Sequence, residues 1–81
     1  MSLTKINEEL INLLQRQLAD EHIIESETDL LSDLALESVQ IMEFVVEVED
    51  YYDIAISLEA LGEIRTIKQF ALLVEKTKDK Q

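Results

Sequence analysis

This 81-residue sequence has no cysteine and a single histidine, two residue types that often serve as nucleophile and base. Cysteine is absent, which excludes thiolate catalysis, disulfides and zinc–thiolate sites. The one histidine, His22, lies 16 residues before Ser38, so this serine has no neighbouring base in the sequence to activate it. His22 itself is expected to be a loop or surface residue. No catalytic constellation can be assembled from these residue types, and we expect a protein that is not an enzyme.

Ser38 lies where an aperiodic stretch gives way to a helical pattern. Serine is a preferred N-cap residue, because its hydroxyl accepts a hydrogen bond from a backbone amide one turn later. By residue type alone, Ser38 is therefore predicted to cap a helix. Any further role for its hydroxyl has to be argued from the order of the residues around it.

The helix predicted to start at Ser38 has two apolar stripes when it is laid out at about 100° per residue. The first is a core stripe, and the second, about 130° away, is aliphatic with acids beside it. A surface helix in a small bundle needs only one such stripe. Either the preceding loop covers the second stripe, or this stripe is an exposed surface for a partner. The core stripe comprises Ile41, Phe44, Val45, Val48 and Tyr52; the second comprises Val39, Met42 and Val46, beside Glu43, Glu47 and Asp50.

Charge is distributed unevenly along the chain, whose net charge is −11. Residues 17–64 contain 14 acidic side chains and no lysine or arginine. Binding to nucleic acid and docking on an anionic membrane both need cations, so the acidic middle argues against both and favours partners with basic patches. No apolar run is long enough to span a membrane, and the first residues lack the layout of a signal peptide. We therefore expect a cytoplasmic protein.

The fold is expected to be all-α, because the chain has a single glycine and no proline. Helical spacing of apolar residues predicts a first helix over Leu3–Leu18 and a second over Ser38–Tyr52. The connection between them, residues 19–37, is long and rich in apolar residues. Such a loop has to bury its apolar side chains, so we expect it to lie across the helices.

Two further helices are predicted towards the C terminus. Ser57 caps a short one, which Gly62 ends in the left-handed conformation. Thr66 and Gln69 form a capping box for the last helix, and the polar residues 76–81 are expected to fray. We expect one domain over residues 1–81, a monomeric small bundle of three longer helices and one short helix. The buried face of the last helix comprises Ile67, Phe70, Ala71 and Val74.

The order of residues around Ser38 adds information that the residue types alone do not. The stretch Asp33-Leu34-Ala35-Leu36-Glu37-Ser38-Val39-Gln40-Ile41-Met42-Glu43-Phe44 resembles the acyl carrier protein family, whose pattern is roughly Leu-Gly-x-Asp-Ser-Leu before an acidic, aliphatic helix. The likeness continues without a gap through residues 45–56, and Thr66-Ile67-Lys68-Gln69-Phe70 is similar to the start of the family's closing helix. Helix order and acidic balance match as well, so the resemblance to this fold covers nearly the whole chain.

Four positions depart from the family pattern. Glu37 keeps the charge and Val39 keeps the aliphatic contact that the family has at these positions. The departures are typical of a specialised carrier that serves a polyketide, lipid or aminoacyl pathway, rather than a housekeeping carrier of fatty acids. Met1 and the polar tail favour a free-standing protein over a piece of a larger synthase. Ala35, Glu37, Val39 and Ser57 stand where the family usually has glycine, aspartate, leucine and proline.

The resemblance implies that Ser38 accepts 4′-phosphopantetheine from coenzyme A through a separate phosphopantetheinyl transferase. The arm would carry acyl groups as thioesters, in fatty acid, polyketide or related lipid biosynthesis, and would supply the sulfur that this chain lacks. The implied partners are the transferase and acyl-transferring and synthase enzymes with basic docking patches. The side chains implied in docking are Glu37, Val39, Met42, Glu43, Val46, Glu47 and Asp50.

Alternatives remain beside this interpretation. The chain could be an unmodified interaction domain of the same fold, which binds one partner through its acidic apolar face, or a carrier for an aminoacyl group. A calcium-binding loop counted from Glu25 is disfavoured, because Leu30 and Leu36 stand where that loop needs glycine and a bidentate glutamate. We therefore expect no metal site.

Overall fold

Four helices make up the regular structure of residues 2–18 and 23–79, the part of the chain that the computed structural model describes. They are α1 (Leu3–Gln17), α2 (Ser38–Tyr52), α3 (Leu58–Leu61) and α4 (Ile67–Asp79). The expected bundle of three longer helices and one short helix is confirmed. His22 lies outside the described residues, and no helix within them is long and apolar enough to cross a membrane.

The hydrophobic core lies where α1 packs against α2 and α4. At its centre the rings of Phe44 and Phe70 meet edge to face, with their centroids 5.2 Å apart. The predicted core faces of α2 and α4 are buried as expected, except that Ile41 is half-buried. The buried side chains of the three long helices are Ile6, Leu10, Leu13 and Leu14 in α1, Phe44, Val45, Val48 and Tyr52 in α2, and Ile67, Phe70, Ala71 and Val74 in α4.

The loop before α2 lies across the helices, as its composition predicts. Its side chains Ile24, Leu30 and Leu36 are buried in the core. Its backbone is bonded to the start of α4, where the Lys68 N–H donates to the Ser26 carbonyl at 2.8 Å and the Leu30 N–H donates to the Arg65 carbonyl at 2.7 Å. These contacts fix the path by which the chain reaches the start of α2.

The turns around α3 agree with the sequence in two respects and differ in a third. Ser57 Oγ accepts a hydrogen bond from the Ala60 N–H at 3.1 Å, as an N-cap does. Thr66 and Gln69 bond reciprocally in the predicted capping box. The left-handed conformation expected at Gly62 is wrong, because its φ is −62° and successive right-handed turns carry the chain out of α3.

Helix α4 continues into the polar end of the chain. Residues 76–79 are part of α4, and residues 80–81 lie outside the described part, so the fraying expected for residues 76–81 stays a prediction. The Lys78 ammonium donates a hydrogen bond to the Tyr52 carbonyl at 3.0 Å. A cation at the C-terminal end of α2 satisfies a carbonyl that the helix leaves without an amide partner, and it ties α4 to α2.

Candidate functional site at the start of helix α2

The N-cap of α2 is Glu37, so the prediction that Ser38 itself caps the helix is wrong by one residue. The backbone of Glu37 is extended, and its N–H donates to Oε1 of Gln40 at 2.9 Å. The first helical hydrogen bond runs from the Ile41 N–H to the Glu37 carbonyl at 3.0 Å. Gln40 stands three residues after Glu37, which is the spacing of a capping box. The prediction chose Ser38 instead because serine is a preferred N-cap residue.

Displacement from the cap leaves the Ser38 hydroxyl available. Ser38 is the first residue of α2, its side chain is exposed, and Oγ has no hydrogen-bond partner in the described part of the chain. Amides in the first turn of a helix and the helix dipole favour an anion at this position. A phosphate on Oγ would gain from both, while the Glu37 carboxylate would oppose it by like charge.

The backbone just before Ser38 turns in an unusual conformation. Ala35 has a φ of +50°, in the left-handed region that a side chain disfavours. The next residue, Leu36, then buries its side chain and donates its N–H to the Leu30 carbonyl at 3.1 Å. This turn explains why the acyl carrier pattern has glycine at the position of Ala35. It sends Leu36 into the core and leaves Ser38 on the surface.

The second stripe of α2 is exposed. Val39, Met42 and Val46 are 64%, 44% and 51% accessible, so the alternative that the preceding loop covers them is wrong. Together with Glu43 and Glu47 they line an open, mainly aliphatic groove that has Ser38 at one end. The groove therefore brings six of the sequence-predicted residues together: Ser38, Val39, Met42, Glu43, Val46 and Glu47.

Two predicted docking residues lie beside this groove rather than in it. Glu37 precedes Ser38 at the cap. Asp50 lines a neighbouring hollow together with Glu47, Tyr51 and two residues of α1, Leu13 and Arg16. Arg16 places a base at the far end of the acidic face. Sequence spacing gave no signal for this proximity, because it depends on how α1 crosses α2.

Two acidic residues of the loop, Asp29 and Asp33, have structural partners. The Asp33 carboxylate accepts the Asp29 N–H at 2.8 Å, and the Asp29 carboxylate pairs with Arg65 at 3.0 Å. Hydrogen bonds from the backbone N–H groups of Ser32 and Leu31, together with Arg65, hold the pKa of Asp29 below its usual value. Among residues 2–18 and 23–79, no three acidic or histidine side chains converge as metal ligands.

The sequence and the fold are similar to those of known acyl carrier proteins. Residues 8–74 match the profile of the family described as "Phosphopantetheine attachment site". The chain is 33% identical over 76 residues to the acyl carrier protein of Coprothermobacter proteolyticus, a match that covers 93% of each protein. The fold is similar to that of a Mycobacterium tuberculosis protein described as an acyl carrier protein, with a TM-score of 0.81 and 28% identity over 88% of this chain and 96% of that one.

These matches settle the family. The family profile spans well over half of the chain, and the curated relative is matched over nearly its full length. Members of this family are carriers rather than catalysts, and they interact with a phosphopantetheinyl transferase and with acyl-handling enzymes. Membership also implies a 4′-phosphopantetheine prosthetic group. The chain belongs to the phosphopantetheine-binding family of acyl carrier proteins.

Proposed function

We propose that this chain carries acyl groups on a 4′-phosphopantetheine arm attached to Ser38. The observation that carries the proposal is the exposed Ser38 hydroxyl, which has no hydrogen-bond partner in the described part of the chain and stands at the end of the aliphatic groove. The serine also lies within the segment that matches the family profile. When bound, the arm supplies a thiol that forms thioesters, which a chain without cysteine cannot supply itself.

The residues around Ser38 fit this modification. In the transfer, Ser38 Oγ forms a bond to the phosphorus of coenzyme A that bears the pantetheine. The bond from that phosphorus to the bridging oxygen breaks, and adenosine 3′,5′-bisphosphate leaves. The hydroxyl proton passes to a base of the transferase or to water. This chain contributes an accessible oxygen and the first-turn amides of α2, which favour the resulting phosphodiester anion.

The groove and its acids suit a carrier that visits several enzymes in turn. Val39, Met42 and Val46 offer adaptable apolar contact, while Glu43 and Glu47 attract a partner with a basic rim. Charge steering accelerates encounter, and a small apolar contact keeps the complex short-lived, so the carrier can leave after each step. We infer that docking is weak and depends on salt, and that the carrier acts as a monomer.

The proposal for the pathway depends on two residues beside Ser38. Val39 and Glu37 stand beside Ser38 where the family usually has leucine and aspartate. A transferase or synthase that contacts these side chains therefore binds a surface slightly different from that of a carrier with leucine and aspartate. We therefore propose a specialised carrier of a polyketide, lipid or aminoacyl pathway rather than a carrier of general fatty acid synthesis.

Co-expression with a promiscuous phosphopantetheinyl transferase, followed by intact mass, tests the proposal. The wild type should gain the mass of one phosphopantetheine, and Ser38→Ala should gain none. Ser32→Ala is the matched control, because Ser32 is exposed in the loop and contributes its backbone N–H rather than its hydroxyl to the Asp29 turn. A wild type of unchanged mass would instead support an unmodified interaction domain that uses the same groove.

A further inference from the structure

We propose that Gln17 and Gln40 act together as positioning residues for the modification of Ser38, an inference that rests on the function proposed above. The two glutamines join the last residue of α1 to the first turn of α2. Neither is a nucleophile, and neither lines the groove beside Ser38. Their role is to hold the backbone on both sides of the serine.

Gln40 uses both its side chain and its backbone. Its Oε1 accepts the N–H of Glu37 at 2.9 Å, immediately before Ser38. Its backbone carbonyl accepts a hydrogen bond from Nε2 of Gln17 at 2.7 Å, across 23 residues of sequence. Residues 37–40 are thereby closed into a ring by one bond and fastened to α1 by the other.

This fastening matters because Ser38 has nothing else to hold it. Its Oγ has no hydrogen-bond partner in the described part of the chain, so the position of the oxygen is set by the backbone of residues 37–40. Transfer of a phosphoryl group needs the attacking oxygen in line with the leaving group, and a small displacement is costly in rate. Loosening the first turn should therefore slow the chemical step more than it weakens docking.

The burial of Gln17 also argues against a purely stabilising role. Its Oε1 is buried and has no hydrogen-bond partner in the described part of the chain. An unpaired buried acceptor is unfavourable, and an apolar side chain of similar length would remove this cost while it fills the same space. The amide therefore contributes little net stability. Its role is to donate the hydrogen bond to the Gln40 carbonyl.

Modification kinetics with purified transferase and coenzyme A test the inference. For Gln17→Met, we expect kcat to fall about three- to tenfold with an unchanged KM, and the urea midpoint to change little. Gln40→Met should show the same loss of kcat. Gln40→Glu keeps both the side-chain acceptor and the backbone carbonyl, so it should restore most of kcat. Tyr52→Phe is the matched control, because it removes a hydrogen bond between α1 and α2 far from Ser38 and should leave kcat unchanged.

The outcomes separate this inference from the proposed function. A wild type that gains no mass contradicts the proposed function and the positioning role with it. A wild type that is modified with the same kcat as Gln17→Met and Gln40→Met overturns the positioning role alone. Equal losses of kcat in Gln17→Met and Tyr52→Phe also overturn it, because the effect would then come from loosening of the α1–α2 contact in general.

Discussion

The two ends of α2 are held in different ways. At the C-terminal end, Tyr52 is buried, and the phenols of Tyr51 and Tyr52 donate to the two carboxylate oxygens of Glu9, both at 2.8 Å. Lys78 adds a bond to the Tyr52 carbonyl. At the N-terminal end, the Ser38 hydroxyl has no hydrogen-bond partner in the described part of the chain.

The difference shows how a small domain can leave a reactive surface free. Buried rings and side chains from α1 and α4 fix the C-terminal end, so stability there does not depend on the residues around Ser38. At the N-terminal end, the side chains of Gln40 and Gln17 hold the backbone of residues 37–40. The side chains of Ser38, Val39 and Met42 remain exposed for modification and for contact with partners, and changes at the two ends should have separable effects.

The largest effect is expected at the C-terminal end. Tyr52→Ala should lower the free energy of unfolding by about 3 to 5 kcal/mol, because it removes a buried ring and leaves a cavity. Ser38→Ala should change it by less than about 0.5 kcal/mol, since an exposed hydroxyl without a partner is lost. Urea denaturation followed by circular dichroism measures both. Similar losses in the two variants would remove the contrast between the ends.

The second effect is on docking and belongs to the N-terminal end. Met42→Glu should raise the KM of the transferase for this chain about tenfold, because a charge enters the centre of the groove. Its unfolding free energy should stay within about 0.5 kcal/mol of the wild type. Leu58→Glu, which makes the same change of charge at an exposed position of α3, should leave KM unaltered. Loss of the fold in Met42→Glu would place Met42 in the core instead.

A smaller effect is expected from the backbone just outside α2. Ala35→Gly should raise the free energy of unfolding by about 1 kcal/mol, because glycine adopts the φ of +50° without the penalty of a side chain. Asp53→Gly, at a φ of +55° beyond the other end, should gain less, since aspartate tolerates the left-handed conformation better than alanine. A destabilised Ala35→Gly, measured as a lower urea midpoint, would contradict this account of the turn.

The smallest effect on stability near neutral pH is expected from the Tyr52 hydroxyl, and its contribution should change in alkali. Burial, followed by the hydrogen bond to Glu9, raises the pKa of Tyr52 above its ordinary value of 10.0. A raised pKa in the folded state means that its stabilising contribution is complete below pH 10 and is lost as pH rises towards the folded pKa. Tyr52→Phe should therefore show a flatter fall of the urea midpoint above about pH 10 than the wild type. Parallel curves would mean that other groups explain the loss, among them Tyr51, whose pKa is also raised by its hydrogen bond to Glu9.

Local sequence patterns predicted the helices well because they depend on near neighbours. The bounds of α2 agree with Ser38–Tyr52, since a continuous apolar stripe and a break on both sides define them. The cap was misplaced because serine and glutamate competed for it, and Gln40 decided in favour of Glu37. The pairings of Gln17 with Gln40 and of Glu9 with Tyr52 join residues that are far apart in sequence, so no local sequence pattern predicts them.

The position of the modification is the central claim, and fragmentation of the modified wild type tests it most directly. Residues 17–64 contain no lysine or arginine, so a glutamate-specific protease is the right choice. It separates Ser38, in the peptide 38–43, from Ser32, in the peptide 28–37. We predict that the phosphopantetheine mass lies on the peptide 38–43. The same mass on the peptide 28–37, or on any other peptide without Ser38, would contradict the account.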